Sequence, residues 1–196
     1  MRRLMIACVA AALAGCASMA DQLQGSLVPP AGMGYAVFSM TVRTYQPEHA
    51  SANVYWYGLD NSASGVASAN FGTDSIFGEA GSSPAIGKLQ LLTLPAGRYQ
   101  LARASGSWSD AGSRDWSGIF GMHQRQASFR LDKPFEVKAG ETVYLGEVRF
   151  NLDNLPDLTL GDARQRDYAH MQRVWKVPSL GNIRAAPYSG TIPRGN

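Results

Sequence analysis

Between Tyr35 and Phe150 the chain is written largely in a two-residue rhythm. In Tyr35–Thr44, Ala36, Phe38, Met40 and Val42 fall on one side, and Ser39, Thr41 and Arg43 on the other. That alternation predicts a strand with one face in a core and one face toward water. Asn53–Leu59 carries Tyr55, Trp56 and Tyr57, aromatic residues that suit a strand. Leu89–Leu94 and Tyr99–Arg103 read as two more strands. Ala127, Phe129 and Leu131 alternate with Ser128 and Arg130, Phe135 and Val137 alternate with Glu136 and Lys138, and Thr142–Phe150 closes the series. The punctuation fits. Leu94-Pro95-Ala96-Gly97 sets a proline where its fixed φ suits a β-turn, and Lys138-Ala139-Gly140-Glu141 sets a glycine between two strands. The prediction is a mainly β fold: a single antiparallel β-sandwich of about seven strands, with one C-terminal α-helix.

The rhythm changes after Asp162. Tyr168, Met171, Val174 and Trp175 recur at helical spacing, with Arg164, Arg166 and Arg173 elsewhere and Pro178 ending the pattern. Asp162 followed by Gln165 resembles a capping box. The helix is expected to lay its aromatic side on the sandwich; a partner-binding helix is the alternative. The domain so defined spans 35–176. Two segments within it, 61–87 and 105–121, are rich in Ser, Gly and Ala and are expected as long loops, the kind of segment that often carries function. Residues 177–196 hold Pro178, Gly181, Pro187, Gly190, Pro193 and Gly195 and are expected as an extended or disordered tail.

The N-terminus follows another logic. Arg2 and Arg3 precede an apolar run, Leu4 to Ala14, about half the ~20 residues that span a bilayer. A charged start, a short apolar stretch and small residues after it mark a secretory signal peptide, here 1–15. Leu13-Ala14-Gly15-Cys16 resembles the lipobox of bacterial lipoproteins. That resemblance implies cleavage before Cys16, a diacylglycerol thioether on its sulfur and acylation of its new amine with a fatty acid such as palmitate. Two or three acyl chains hold a protein stably on a membrane, whereas one holds it only marginally. Ala17 and Ser18 replace the aspartate that favours inner-membrane retention in Gram-negative sorting. The resemblance therefore implies an outer-membrane protein facing the periplasm, with 16–34 as a lipidated tether.

Composition changes meaning once the leader is removed. The formal charge of +3 includes Arg2 and Arg3; without them 16 basic residues face 15 acidic ones, which removes any case for nucleic-acid binding. The two cysteines are Cys8 and Cys16, so the mature chain has no disulfide and rests on its apolar core.

Leu94-Pro95-Ala96-Gly97-Arg98-Tyr99-Gln100-Leu101 resembles the tight hairpin of transthyretin-like and carboxypeptidase-regulatory-like sandwich domains. The run from Phe135 to Gly146 is similar to a segment of uncharacterised bacterial lipoproteins of that shape. The resemblance covers about residues 86–150; it implies a fold and carries no activity.

Candidate chemistry is sparse. HExxH, G-x-S-x-G and P-loop patterns do not occur. His49 follows Pro47-Glu48 in an expected exposed turn, and Asp167 and His170 are spaced to pair on the helix surface. No cofactor and no metal site is expected. Trp108 and Trp116 could stack on sugar rings with Asp110, Arg114 and Asp115 bonding hydroxyls; alternatively both rings fold back over a sandwich edge. The expectation is a lipid-anchored, non-enzymatic envelope protein with a binding or structural role, meeting an envelope protein or peptidoglycan. The alternatives are a glycan binder, an envelope hydrolase, or an inhibitor of a secreted enzyme acting through the 105–121 loop.

Overall fold

In the computed structural model, which describes residues 18–110 and 123–195, β1 (Met33–Arg43) runs through the middle of a large sheet. Its Ala36, Phe38 and Met40 enter the main core, and Tyr35 and Val37 enter a second apolar cluster on the opposite face. β1 pairs antiparallel with β5 (Ala85–Pro95) and parallel with β8 (Thr142–Asn151). Beyond β5 lies the short β4 (Ser75–Ile76); beyond β8 lie β9 (Asp157–Gly161) and then β11 (Gly190–Pro193), with β10 (Ile183–Ala185) also on β8. The second sheet has four antiparallel strands: β3 (Ser64–Asn70), β2 (Ser51–Gly58), β6 (Gly97–Asp110) and β7 (His123–Val137). Phe38, Val54, Tyr99, Leu101, Phe129 and Phe150 share the core cluster to which both sheets contribute.

The protein is therefore mainly β, built on two sheets, with a C-terminal helix, α2 (Arg164–Arg173). The eleven strands among the described residues exceed the seven read from sequence, and two of their pairings, β1 with β8 and β10 with β8, are parallel. Both differences have a local cause. The Pro95–Gly97 turn is not a hairpin: it carries the chain from β5 in the large sheet to β6 in the small one, around a core that buries Leu94 and Tyr99 on its two sides. The Tyr99 hydroxyl donates to the Pro95 carbonyl at 2.7 Å and accepts from the Asn61 amide at 3.1 Å, closing this corner. The Lys138–Glu141 turn crosses back the same way. Glu141 N–H donates to Lys138 O at 3.2 Å, and Gly140 takes φ +79, a conformation that favours glycine. A strand that returns through the other sheet can arrive beside β1 running in the same direction, and β8 does so.

Several expected loops are structured. Within 61–87 lie β3 and β4, and Ala67, Ala69 and Phe71 are core residues; small alanines among serines leave a weak alternation that sequence reading passes over. Ser105–Asp110 continue β6, because β2 and β7 supply backbone partners that override poor strand propensity. β7 joins two segments read separately. Its register against β6 shifts between Leu101 and Arg103, and Asp132 takes φ +46 there. The expected tether is folded from Ser18 onward: Ser18 and Asp21 form a capping box on α1 (Met19–Leu23), and Leu23 and Leu27 are buried in the second apolar cluster. The expected tail is extended, but as β10 and β11 paired into the large sheet. Among the described residues no helix is long and apolar enough to cross a membrane.

Candidate functional site

Helix α2 lies over the outer face of the large sheet, and the residues between them form the most polar buried region described. Ser39 and Thr41 of β1, expected toward water, are buried there. Tyr144 and Glu147 of β8 stand beside them, and α2 contributes Asp167 and Arg166. Asp167 Oδ2 accepts from the Ser39 and Tyr144 hydroxyls, each at 2.7 Å. Asp167 Oδ1 accepts from Arg166 Nε at 2.8 Å. The Arg166 guanidinium also reaches Glu147 Oε1 at 2.7 Å and Ser39 Oγ at 2.8 Å. Thr41 donates to Glu147 Oε1 at 2.8 Å, and Arg149 covers Oε2 at 2.8 Å.

The electrostatics follow from burial and partners. Burial pushes the Glu147 carboxyl up, but Arg166, Thr41 and Arg149 outweigh it and hold the group below its ordinary value. Burial raises Asp167 above the usual carboxylate range, and the Arg166 charge with the Tyr144 and Ser39 hydrogen bonds returns only part of that. Burial, with Asp167 beside it, drives Tyr144 far up, so its hydroxyl remains a donor.

One turn further along, His170 is buried too. Its Nδ1 accepts the Phe77 backbone N–H at 3.0 Å, which places the ring proton of the neutral form on Nε2. Its ring stacks on Phe77 and meets Trp175 edge-on. Burial, then the charges of Arg166 and Arg173, lower its pKa to about 4, so it is neutral near pH 7. The expected surface pair of Asp167 and His170 does not form, because the helix turns both residues onto the sheet and each finds its own partner.

The segment after β4 is drawn over α2. Arg173 donates to the Gly78 carbonyl, and Gln165 donates to Glu79 Oε1 at 3.1 Å. Between this segment and the start of α2 lies an open cleft of about 720 Å³, lined among others by Glu79, Ser82, Asp162, Arg164 and Arg166. Asp162, expected as the cap, lies one residue before the N-cap, which has no side-chain cap. Ala163 is the N-cap, and Asp162 Oδ1 accepts the Arg164 N–H at 3.0 Å. Gln165, engaged with Glu79, closes no capping box. Val174 lies past the last helical residue and is exposed rather than packed.

Chemically this arrangement fastens. Both oxygens of Asp167 and of Glu147 are engaged, as is the acceptor nitrogen of His170. These groups tie α2 and the 77–79 segment to the sheet. Among the described residues no three His, Cys, Asp or Glu side chains cluster as metal ligands.

The residues singled out from sequence are scattered. Trp108 sits in β6, only 4% exposed and part of the main core, with the Arg125 guanidinium 6.0 Å from its ring centre; no open face remains for a sugar. Asp110 ends β6. Arg114, Asp115, Trp116 and Cys16 lie outside the described residues. His49 ends a short 3-10 turn and is exposed. Sequence reading missed Ser39, Thr41, Tyr144, Glu147 and Arg166 as a group. One signal was present: Glu147 interrupts an otherwise uncharged run, Val143–Val148, which marks a carboxylate that needs a partner.

No family model matches the sequence, and no curated protein matches it. A leucine-rich repeat protein from Bacteroides thetaiotaomicron is structurally similar at a TM-score of 0.36 and 13% identity, over 63% of this chain and 14% of that one. The chain thus spans a small part of that protein, and at this TM-score the likeness carries no argument.

Proposed function

We propose that the chain is a lipid-anchored cell-envelope protein whose β domain serves a binding or structural role rather than a catalytic one. The observation that carries this reading is Leu13-Ala14-Gly15-Cys16 at the end of an eleven-residue apolar run behind Arg2-Arg3. The Cys16 sulfur takes a diacylglycerol, and two or more acyl chains keep the domain on the outer membrane, facing the periplasm. The commitment of Asp167, Glu147 and His170 to structural partners supports the non-catalytic part. Folding from Ser18 onward leaves a single residue, Ala17, between Cys16 and the capped start of α1, so the anchor would hold the domain close to the bilayer.

The test is metabolic labelling with a palmitate analogue in a Gram-negative host, followed by fractionation. The parent chain takes up label and sediments with outer membranes, and Cys16→Ser does neither. An unlabelled parent, or a Cys16→Ser chain still held on membranes, overturns the reading.

A further inference from the structure

We infer that residues 77–84 form a flap latched onto α2 by the neutral His170 imidazole, and that protonation of that ring releases the flap and widens the cleft beside it. The segment Phe77-Gly78-Glu79-Ala80-Gly81-Ser82-Ser83-Pro84 joins β4 to β5. Its base is fixed, because Ser75 and Ile76 of β4 pair with Ile86 and Ala85 of β5. Beyond that pairing little packs against it. Only Gly78 of the segment is buried, and even the Phe77 ring is 44% exposed. Gly81 takes φ +88, and no atom lies within 4 Å of where a side chain would start there, so the tip turns in open space.

Among the described residues three hydrogen bonds tie this segment to the rest of the protein, and all three come from α2. His170 Nδ1 accepts the Phe77 N–H at 3.0 Å, Arg173 donates to the Gly78 carbonyl, and Gln165 donates to Glu79 Oε1 at 3.1 Å. The first tie is the one a proton undoes. A neutral imidazole with its hydrogen on Nε2 offers Nδ1 as an acceptor, whereas the imidazolium carries N–H on both nitrogens and accepts nothing. Protonation therefore sets a ring N–H against the Phe77 N–H. It also adds a third cation beside Arg166 and Arg173, the charged groups that bear on His170 from its own helix. From the flap, Glu79 is turned to Gln165; from the sheet, Glu147 is closed around Arg166. β4 brings Ser75 and Ile76, and Trp175 meets the ring edge-on. Among the described residues no carboxylate steadies the imidazolium.

The direction follows from linkage. In the closed form the ring is buried near two guanidiniums and resists a proton; with the flap lifted it meets water and regains its ordinary affinity. The open form binds the proton more tightly, so acid favours opening as pH falls from 6.5 toward 4. The helix does not follow the flap. Asp167 and Arg166 fasten α2 to Ser39, Tyr144 and Glu147, and Met171 and Trp175 are buried in the second apolar cluster. The weakly packed segment therefore opens while the sheet and α2 stay folded. Lifting it uncovers His170 and draws Glu79 and Ser82 away from Arg164 and Gln165 across the cleft. This device goes beyond the envelope reading and does not depend on the anchor.

The test is amide hydrogen exchange of the full chain in detergent, read by mass spectrometry with labelling times scaled to the intrinsic rate at each pH. From about pH 7 to about pH 4, protection of 77–83 falls at least about tenfold while Val143–Val148 of β8 keep theirs. His170→Phe, which neither titrates nor accepts, starts with a less protected flap, and that protection no longer responds to pH. Glu79→Gln keeps the parent's response. In the parent, ring-nitrogen shifts measured by NMR show Nδ1 as an acceptor at about pH 7 and gaining a proton over the range in which the flap opens. Should His170→Phe fail to fold, that coincidence decides. Flap protection that is flat with pH, that falls in step with β8, or that falls equally in His170→Phe overturns the inference. So does a Glu79→Gln chain without the response, or a His170 ring that titrates outside the range of opening.

Discussion

Both sheets carry polar positions on the faces turned away from the shared core, and the molecule treats them in opposite ways. On the large sheet, Ser39, Thr41 and Glu147 lie under α2 and are bonded to Asp167 and Arg166. On the small sheet, Ser51, Asn53, Ser105 and Ser107 remain open and uncharged. Alternation alone reads both as solvent faces. The difference teaches that a polar strand position is a statement about hydrogen-bonding need, and that whether water or a helix meets that need is decided elsewhere in the chain.

The comparison is most vulnerable at Arg166. Removing one partner of a buried ion pair leaves uncompensated charge, so Arg166→Met should cost about 3–5 kcal/mol in urea unfolding. Combining it with Asp167→Asn and Glu147→Gln should recover much of that loss. A cost near zero for the single variant would mean that the covered face is as wet as the open one. Next in size is Tyr144→Phe, which removes one hydrogen bond to the Asp167 carboxylate and should cost about 1.5–3 kcal/mol in the same assay.

A smaller effect comes from pH. His170 has a folded pKa of about 4 against 6.5 for the free group. The unfolded chain therefore binds a proton that the folded chain refuses. The stability this group supports is complete above pH 6.5 and is lost as pH falls toward 4. The urea midpoint of the parent should fall across that window more steeply than that of His170→Phe. Asp167 and Glu147 titrate in both chains and drop out of the difference. Parallel curves would show that His170 is not held neutral by its burial and the Arg166 and Arg173 charges.

The smallest effect sharpens the open side. Ser105→Thr with Ser107→Thr adds strand propensity on a half-buried, open face and should stabilise by about 0.5–1 kcal/mol, raising the thermal midpoint. An unchanged or lower midpoint would mean that strand propensity does not govern this open face.

What could be read in advance divides along physical lines. The strand cores were legible at Tyr35–Thr44, Asn53–Leu59 and Thr142–Phe150, because a half-apolar strand announces itself by period two. The helix was legible from Tyr168 and Met171 at helical spacing. β3 was not, since Ala67 and Ala69 carry too little contrast against serine. The candidate site was almost wholly hidden. Arg166 looked like one more surface cation, and Ser39 like one more outward hydroxyl, 127 positions earlier in the chain. Nothing local distinguishes a hydroxyl that water will satisfy from one that a distant guanidinium will.

By itself, then, the sequence determined the mainly β class, most strands and the existence of α2, because each depends on residues near one another in the chain. Only the tertiary structure decided that Pro95–Gly97 and Lys138–Glu141 cross between sheets, that β8 runs parallel to β1, and which polar face is roofed. Those outcomes depend on how distant segments share one core, where the same turn or the same serine has different neighbours according to the path the chain takes around it.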